Sequence, residues 1–114
     1  MSNLCLNSWE KLKTSKQFSG ITSNGTKCFG KCFLLIHFPN ELGHARLGIT
    51  VSKKTSKKAT VRNRIKRIVR ESFRLNKQYL PGLDIVIISR KRARHAPAEE
   101  LRQDLAKLWQ QLIV

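Results

Sequence analysis

The chain has 114 residues, with 23 Lys and Arg against seven Asp and Glu, a formal charge of +16 and 40% apolar content. That size fits one domain over residues 1–114 with its own core, and no run of about 18 apolar residues exists to span a bilayer. Self-repulsion at this charge destabilises a compact fold, so the composition calls for a polyanionic partner, nucleic acid ahead of an acidic membrane.

The opening MSNLCLNSWEKLK lacks the apolar stretch of a signal peptide, so a cytoplasmic protein is expected. Thr14-Ser15-Lys16-Gln17 has capping-box spacing and predicts a short helix from Ser15 to about Ser23, with Phe18 and Ile21 on one face. Asn24-Gly25 closes that helix, and an extra edge strand is expected near residues 26–30. The run CFLLIHF at residues 32–38 is short, apolar and bounded by Gly30 and Pro39, which predicts a strand. Glu41-Leu42-Gly43-His44 reads as a hairpin-like turn into a second strand, RLGITVS. There Leu47, Ile49 and Val51 alternate with Arg46, Gly48, Thr50 and Ser52, giving one buried face and one open to a ligand.

Between Lys53 and Lys77 the segment KKTSKKATVRNRIKRIVRESFRLNK carries eleven of the 23 cations and one acid, Glu71. Thr60 is expected to cap a helix here. Its apolar stripe is Val61, Ile65, Ile68, Val69, Ser72 and Leu75, with Phe73 at the edge. Arg62, Lys66, Arg70 and Lys77 face the other way, with Asn63, Arg67 and Arg74 beside them. Glu71 is spaced to pair with Arg67 and Arg74. After Pro81-Gly82, Leu83–Ser89 (LDIVIIS) reads as a buried strand, followed by a basic cluster at Arg90, Lys91, Arg92 and Arg94. Pro97 suits the first turn of a last helix, with Glu99 and Glu100 favourable at its N-terminus. Ala98, Leu101, Leu105, Leu108, Trp109 and Leu112 form its core stripe. The predicted architecture is an α/β (α+β) two-layer sandwich of helices on a small sheet.

A metal-dependent nuclease needs clustered carboxylates, and only Glu99 and Glu100 are adjacent, as helix N-terminal residues. Neither a Ser-His-Asp nor a Cys-His arrangement has a defensible spacing. Cys5, Cys28 and Cys32 contain no C-x-x-C pair and read as free thiols, and His37, His44 and His95 are scattered, so no metal is expected on the protein. No catalytic residue is assigned. A solvated helix face would mix Lys with Glu, whereas this one is rich in arginine, whose planar fork suits phosphate. RNA is favoured over DNA, because an exposed strand bearing Arg46, Thr50 and Ser52 beside Phe18 suits a single strand. A ribosomal-type structural RNA-binding protein has similar size and charge and stays open on these grounds; an autonomous nuclease is the third class.

The run Arg62-Asn63-Arg64-Ile65-Lys66-Arg67-Ile68-Val69-Arg70-Glu71-Ser72-Phe73-Arg74 closely resembles the signature of the bacterial ribonuclease P protein family. Gly48-Ile49-Thr50-Val51-Ser52-Lys53-Lys54 resembles the family's strand-to-loop segment before it, and Leu83 to Ile88 then Arg90 the strand after it; the similarity covers about residues 10 to 112. The resemblance implies a ribonucleoprotein whose RNA subunit cuts precursor tRNA to release the 5′ leader, using Mg²⁺ held mainly by that RNA. The protein would bind the catalytic RNA subunit, one protein per RNA, together with the precursor. By position, Arg62, Asn63, Arg64, Lys66, Arg67, Arg70 and Arg74, with Lys53 and Lys54 of the loop, would contact RNA. Phe18, Leu34, Ile36, Arg46, Thr50 and Ser52 would form the leader cleft. Thr22 and Ile36 stand where some members carry further aromatics, which leaves more of the binding to the cationic ridge. The resemblance also implies a mixed sheet with a left-handed β-α-β crossover through the basic helix, against the right-handed form of about 98% of such connections.

Overall fold

A computed structural model describes residues 24–40, 42–53 and 55–113. The expected helix over residues 15–23, with Phe18, and the loop residue Lys54 lie outside them. The described elements are β1 (Thr26–Phe29), β2 (Phe33–Pro39), β3 (Arg46–Thr50), α1 (Ala59–Asn76), β4 (Leu83–Ser89) and α2 (Ala98–Leu112). Short 3₁₀ turns cover Lys77–Tyr79 and Lys91–Arg94.

β4 decides the topology. Its β-branched run LDIVIIS is buried almost throughout, and a strand covered on both faces belongs at the centre of a sheet. The order is β1-β2-β4-β3, with β4 antiparallel to β2 and parallel to β3. Parallel neighbours need a crossover, which α1 supplies between β3 and β4. The turn at residues 41–44 therefore does not make a hairpin: β4 lies between β2 and β3. Asn40 directs the chain there. Its side-chain amide donates to the His44 carbonyl and to Asp84 Oδ1, both at 3.0 Å, and its Oδ1 accepts the Leu42 N–H at 2.9 Å. Gly43, at φ +80°, takes the left-handed conformation of that turn.

α1 and α2 pack on one face of the sheet, joining Phe33, Leu35, Leu47, Ile85 and Ile87 to Ile65, Val69, Leu101, Leu105 and Leu108 in one core. Two details of α1 differ from expectation. The helix begins at Ala59, so Thr60 lies inside it, and its N-cap Lys58 makes no side-chain cap bond; the Ser56 hydroxyl accepts the Lys58 N–H at 3.2 Å instead. The buried stripe also turns toward Phe73, which is fully buried, while Leu75 is 62% exposed. Trp109 of α2 causes the rotation. Its ring meets Phe73 edge-on at 5.9 Å, and its Nε1–H donates to the Ser72 hydroxyl at 2.7 Å.

α2 carries one residue that the apolar stripe did not reveal. Asp104 is buried, and its carboxylate accepts the backbone N–H groups of Lys31, Cys32 and Phe33 at 3.0, 3.0 and 3.2 Å. It ties the β1–β2 turn to the last helix and keeps three amides satisfied away from water.

Candidate nucleic-acid interface

With the stripe rotated, the outer side of α1 is occupied by Asn63, Arg67 and Arg70, all exposed, with Lys66 and Arg74 half-buried beside them. Arg62 and Arg64 lean inward. Arg62 Nη1 donates to the Ser56 carbonyl at 2.9 Å and Arg64 Nη2 to the Ala96 carbonyl at 3.0 Å. These two thereby join α1 to the loops before it and before α2. Among the described residues Glu71 pairs with neither Arg67 nor Arg74, so the ridge keeps its full positive charge.

The ridge continues past the N-terminus of α1. A cleft of about 560 Å³ is lined by Lys53, Ser56, Lys57, Lys58, Arg94 and His95 among others. The first turn of α1 has no acid, so the helix dipole adds to the field of these cations. Thr55 Oγ1 shares a 2.7 Å hydrogen bond with Ser89 Oγ, which fixes the basic loop to the end of β4.

The other face of the sheet carries a second set. Leu34, Ile36, Val86 and Ile88 form a separate apolar cluster there, away from the helices. Strand register places Phe29, Leu34, Ile88 and Thr50 in one row across this face, and Lys27, Ile36, Val86 and Gly48 in the next. Of the residues expected in a leader cleft, Leu34, Ile36 and Thr50 thus share one face. Ser52 is exposed beyond the end of β3.

Arg46 is on the same face, but not as a free cation. Its Nε and Nη2 donate to the two oxygens of Asp84, each at 2.7 Å. Burial pushes the Asp84 carboxyl up, yet the bonds from Arg46 and Asn40 outweigh it and hold the group below the usual carboxylate range. Sequence reading searched the acids for catalysis and so missed this partner.

It also missed two aromatics. Phe29 and Phe38 are 68% and 43% exposed, and their register puts both on the sheet face opposite α1 and α2. Period-two alternation carried outward from Leu34 and Ile36 would have found Phe38, whereas Phe29 joins this face only through the pairing of β1 with β2.

Three of the five carboxylates among the described residues are engaged in structure: Asp84 by Arg46, Asp104 by three amides, and Glu100 by Arg92 at 2.9 Å. Among the described residues no group of three or more His, Cys, Asp or Glu could hold a metal ion. Cys28 and Cys32 are free thiols that burial pushes up, away from the thiolate form.

A family model described as Ribonuclease P matches residues 6–113. The chain belongs to the ribonuclease P protein family. A ribonuclease P protein component from Pseudomonas aeruginosa is 45% identical over 105 residues, covering 91% of this chain and 78% of the relative. That from Pseudomonas entomophila is 44% identical, covering 91% and 79%. The Staphylococcus aureus RNase P protein superposes with TM-score 0.87 at 30% identity, over 92% of this chain and 98% of that one. The Thermotoga maritima RNase P protein, solved with 1-(4-fluorophenyl)-2-thiourea, gives 0.81 at 36% identity, over 88% and 97%. The mixed four-stranded sheet with two helices is thus the ribonuclease P protein fold, and the ribosomal-type alternative is set aside. Family membership makes the chain a component of an endoribonuclease holoenzyme of tRNA processing, with RNA as its partner. No described helix is long and apolar enough to cross a membrane.

Proposed function

We propose that the chain is the protein subunit of a cytoplasmic ribonuclease P holoenzyme, one protein per catalytic RNA. The α1 ridge and its N-terminal cleft hold the RNA subunit through Arg62, Asn63, Arg64, Lys66, Arg67, Arg70 and Arg74, with Lys53 and Lys54. The sheet face opposite α1 and α2, with Leu34, Ile36, Thr50 and Ser52, together with Phe18 of the N-terminal segment, receives the 5′ leader of precursor tRNA. Arg46 shapes that face from its pairing with Asp84.

One contrast carries this reading. The outermost arginines of α1 have no acidic partner, while Asp84, Asp104 and Glu100 are each bound within the fold. Such a protein neutralises phosphates without gathering carboxylates into a cluster for hydrolysis among the described residues, so Mg²⁺ chemistry falls to the RNA. When bound there, Mg²⁺ supplies the activated water and stabilises the leaving oxygen. The protein's residues bind and orient the strand.

Reconstitution tests the proposal. The purified protein should leave precursor tRNA intact, and it should stimulate 5′ cleavage by a bacterial ribonuclease P RNA at low Mg²⁺. Cleavage by the protein alone, or no stimulation of the RNA, would overturn it.

A further inference from the structure

A second cleft, of about 440 Å³, opens at the β1 edge of the sheet, where the β1–β2 turn meets the C-terminal half of α2. Phe29, Lys31, Arg90, Asp104 and Lys107 line it. Three of these are cations. Among the described residues neither the Lys31 nor the Lys107 ammonium is ion-paired. Arg90 Nη1 donates to the Gly30 carbonyl at 2.8 Å, which holds the guanidinium at the rim with its other N–H groups open. The one acid is turned away from any ligand, because both Asp104 oxygens accept backbone N–H groups.

Phe29 belongs to two surfaces at once. It ends the row Phe29, Leu34, Ile88, Thr50 on the sheet face opposite the helices, and it also lines the edge cleft. At 68% exposure its ring contributes little to the core, and an aromatic left in solvent beside three cations suits a nucleobase with its phosphates. We infer that this edge cleft takes single-stranded RNA: a base stacks on Phe29 while adjacent phosphates meet Lys31, Arg90 and Lys107. The inference rests on the proposed leader-binding reading and extends it. Thr50 and Phe29 are the exposed ends of this row, and a strand reaching from Thr50 of β3 toward β1 covers three inter-strand spacings, roughly 14 Å, and then meets this cleft. Its occupant is the upstream part of the leader, and the α1 ridge stays available to the RNA subunit.

The test uses the holoenzyme reconstituted with a bacterial ribonuclease P RNA and precursor tRNAs with leaders of graded length. Phe29→Ala should weaken binding of long-leader precursors by roughly 5- to 150-fold, the range of one lost base stack, and Phe29→Tyr should restore it. Lys107→Ala should lower the salt slope of long-leader binding by about 0.7. Short-leader precursors should bind both variants as they bind the wild type. Equal losses at every leader length, or none at any length while the wild-type protein still stimulates cleavage, would overturn this inference alone. Failure of the wild-type protein to stimulate at all would overturn the reading beneath it.

Discussion

The Asp104 carboxylate lies directly against Gly30: a Cβ on that glycine would stand 2.5 Å from Oδ2 and 2.9 Å from Oδ1. The absence of a side chain at Gly30 is what lets a buried acid from α2 reach the amides of Lys31, Cys32 and Phe33. The turn that presents Phe29 and Lys31 thus depends on a residue more than seventy positions away in sequence.

Asp104→Asn exchanges an acceptor oxygen for an NH₂ group and leaves at least one buried amide unmatched. It should destabilise the protein by about 1–3 kcal/mol, seen as a lower urea midpoint with an unchanged m-value. Gly30→Ala should be destabilising in the wild type and nearly neutral in an Asp104→Ala background, where the clash is gone. Additive losses in that double-mutant cycle would show that the two residues do not act together.

The basic helix separates into two kinds of arginine. Arg67→Ala and Arg70→Ala should weaken RNA binding and lower its salt slope by about 0.7–0.9 per lost phosphate contact, with thermal stability unchanged. Arg64→Ala should also lower stability, by about 1 kcal/mol, because its guanidinium holds the Ala96 carbonyl. Salt titrations of binding combined with unfolding curves distinguish the two classes.

Phe73 and Leu75 test the orientation of α1. Phe73→Ala removes a fully buried ring packed on Trp109 and should cost about 3–5 kcal/mol. Leu75→Ala, at an exposed position, should stay within about 0.5 kcal/mol of wild type. The reverse ranking in denaturant unfolding would return the helix to the stripe centred nearer Leu75.

Asp84 gives the fold an acid dependence of known sign. Its folded pKa is below the unfolded value of about 3.9, so it binds its proton more weakly when folded. The stability it contributes is present above that unfolded value and is lost as pH falls through the folded one. Arg46→Ala removes the bidentate pair that opposes burial, so the folded pKa of Asp84 should rise toward or past the unfolded value, and the loss of stability on acidification should shrink or reverse. Unfolding free energies measured from pH 7 downward check this, and identical pH profiles for variant and wild type would count against it.

Much of this protein follows from local sequence alone. The period-two run in β3, the apolar runs of β2 and β4, and the helical spacing in α1 and α2 each declare their element, because side-chain direction is set by backbone periodicity. That α1 has a basic side was legible for the same reason, but its centre was not: the spacing put Arg62, Lys66, Arg70 and Lys77 outermost, and the packed helix exposes Asn63, Arg67 and Arg70 and turns Arg62 inward. Tertiary structure alone decided that β4 enters between β2 and β3, that α1 turns Phe73 inward to meet Trp109, and that Asp104 and Asp84 are bound within the fold. It also decided that Arg46, exposed by alternation, is held by a carboxylate, and that Phe29 stands free beside Lys31 and Lys107. Periodicity specifies which way a side chain points from its own element. Which other element it meets depends on long-range packing and on finding a partner for every buried polar group.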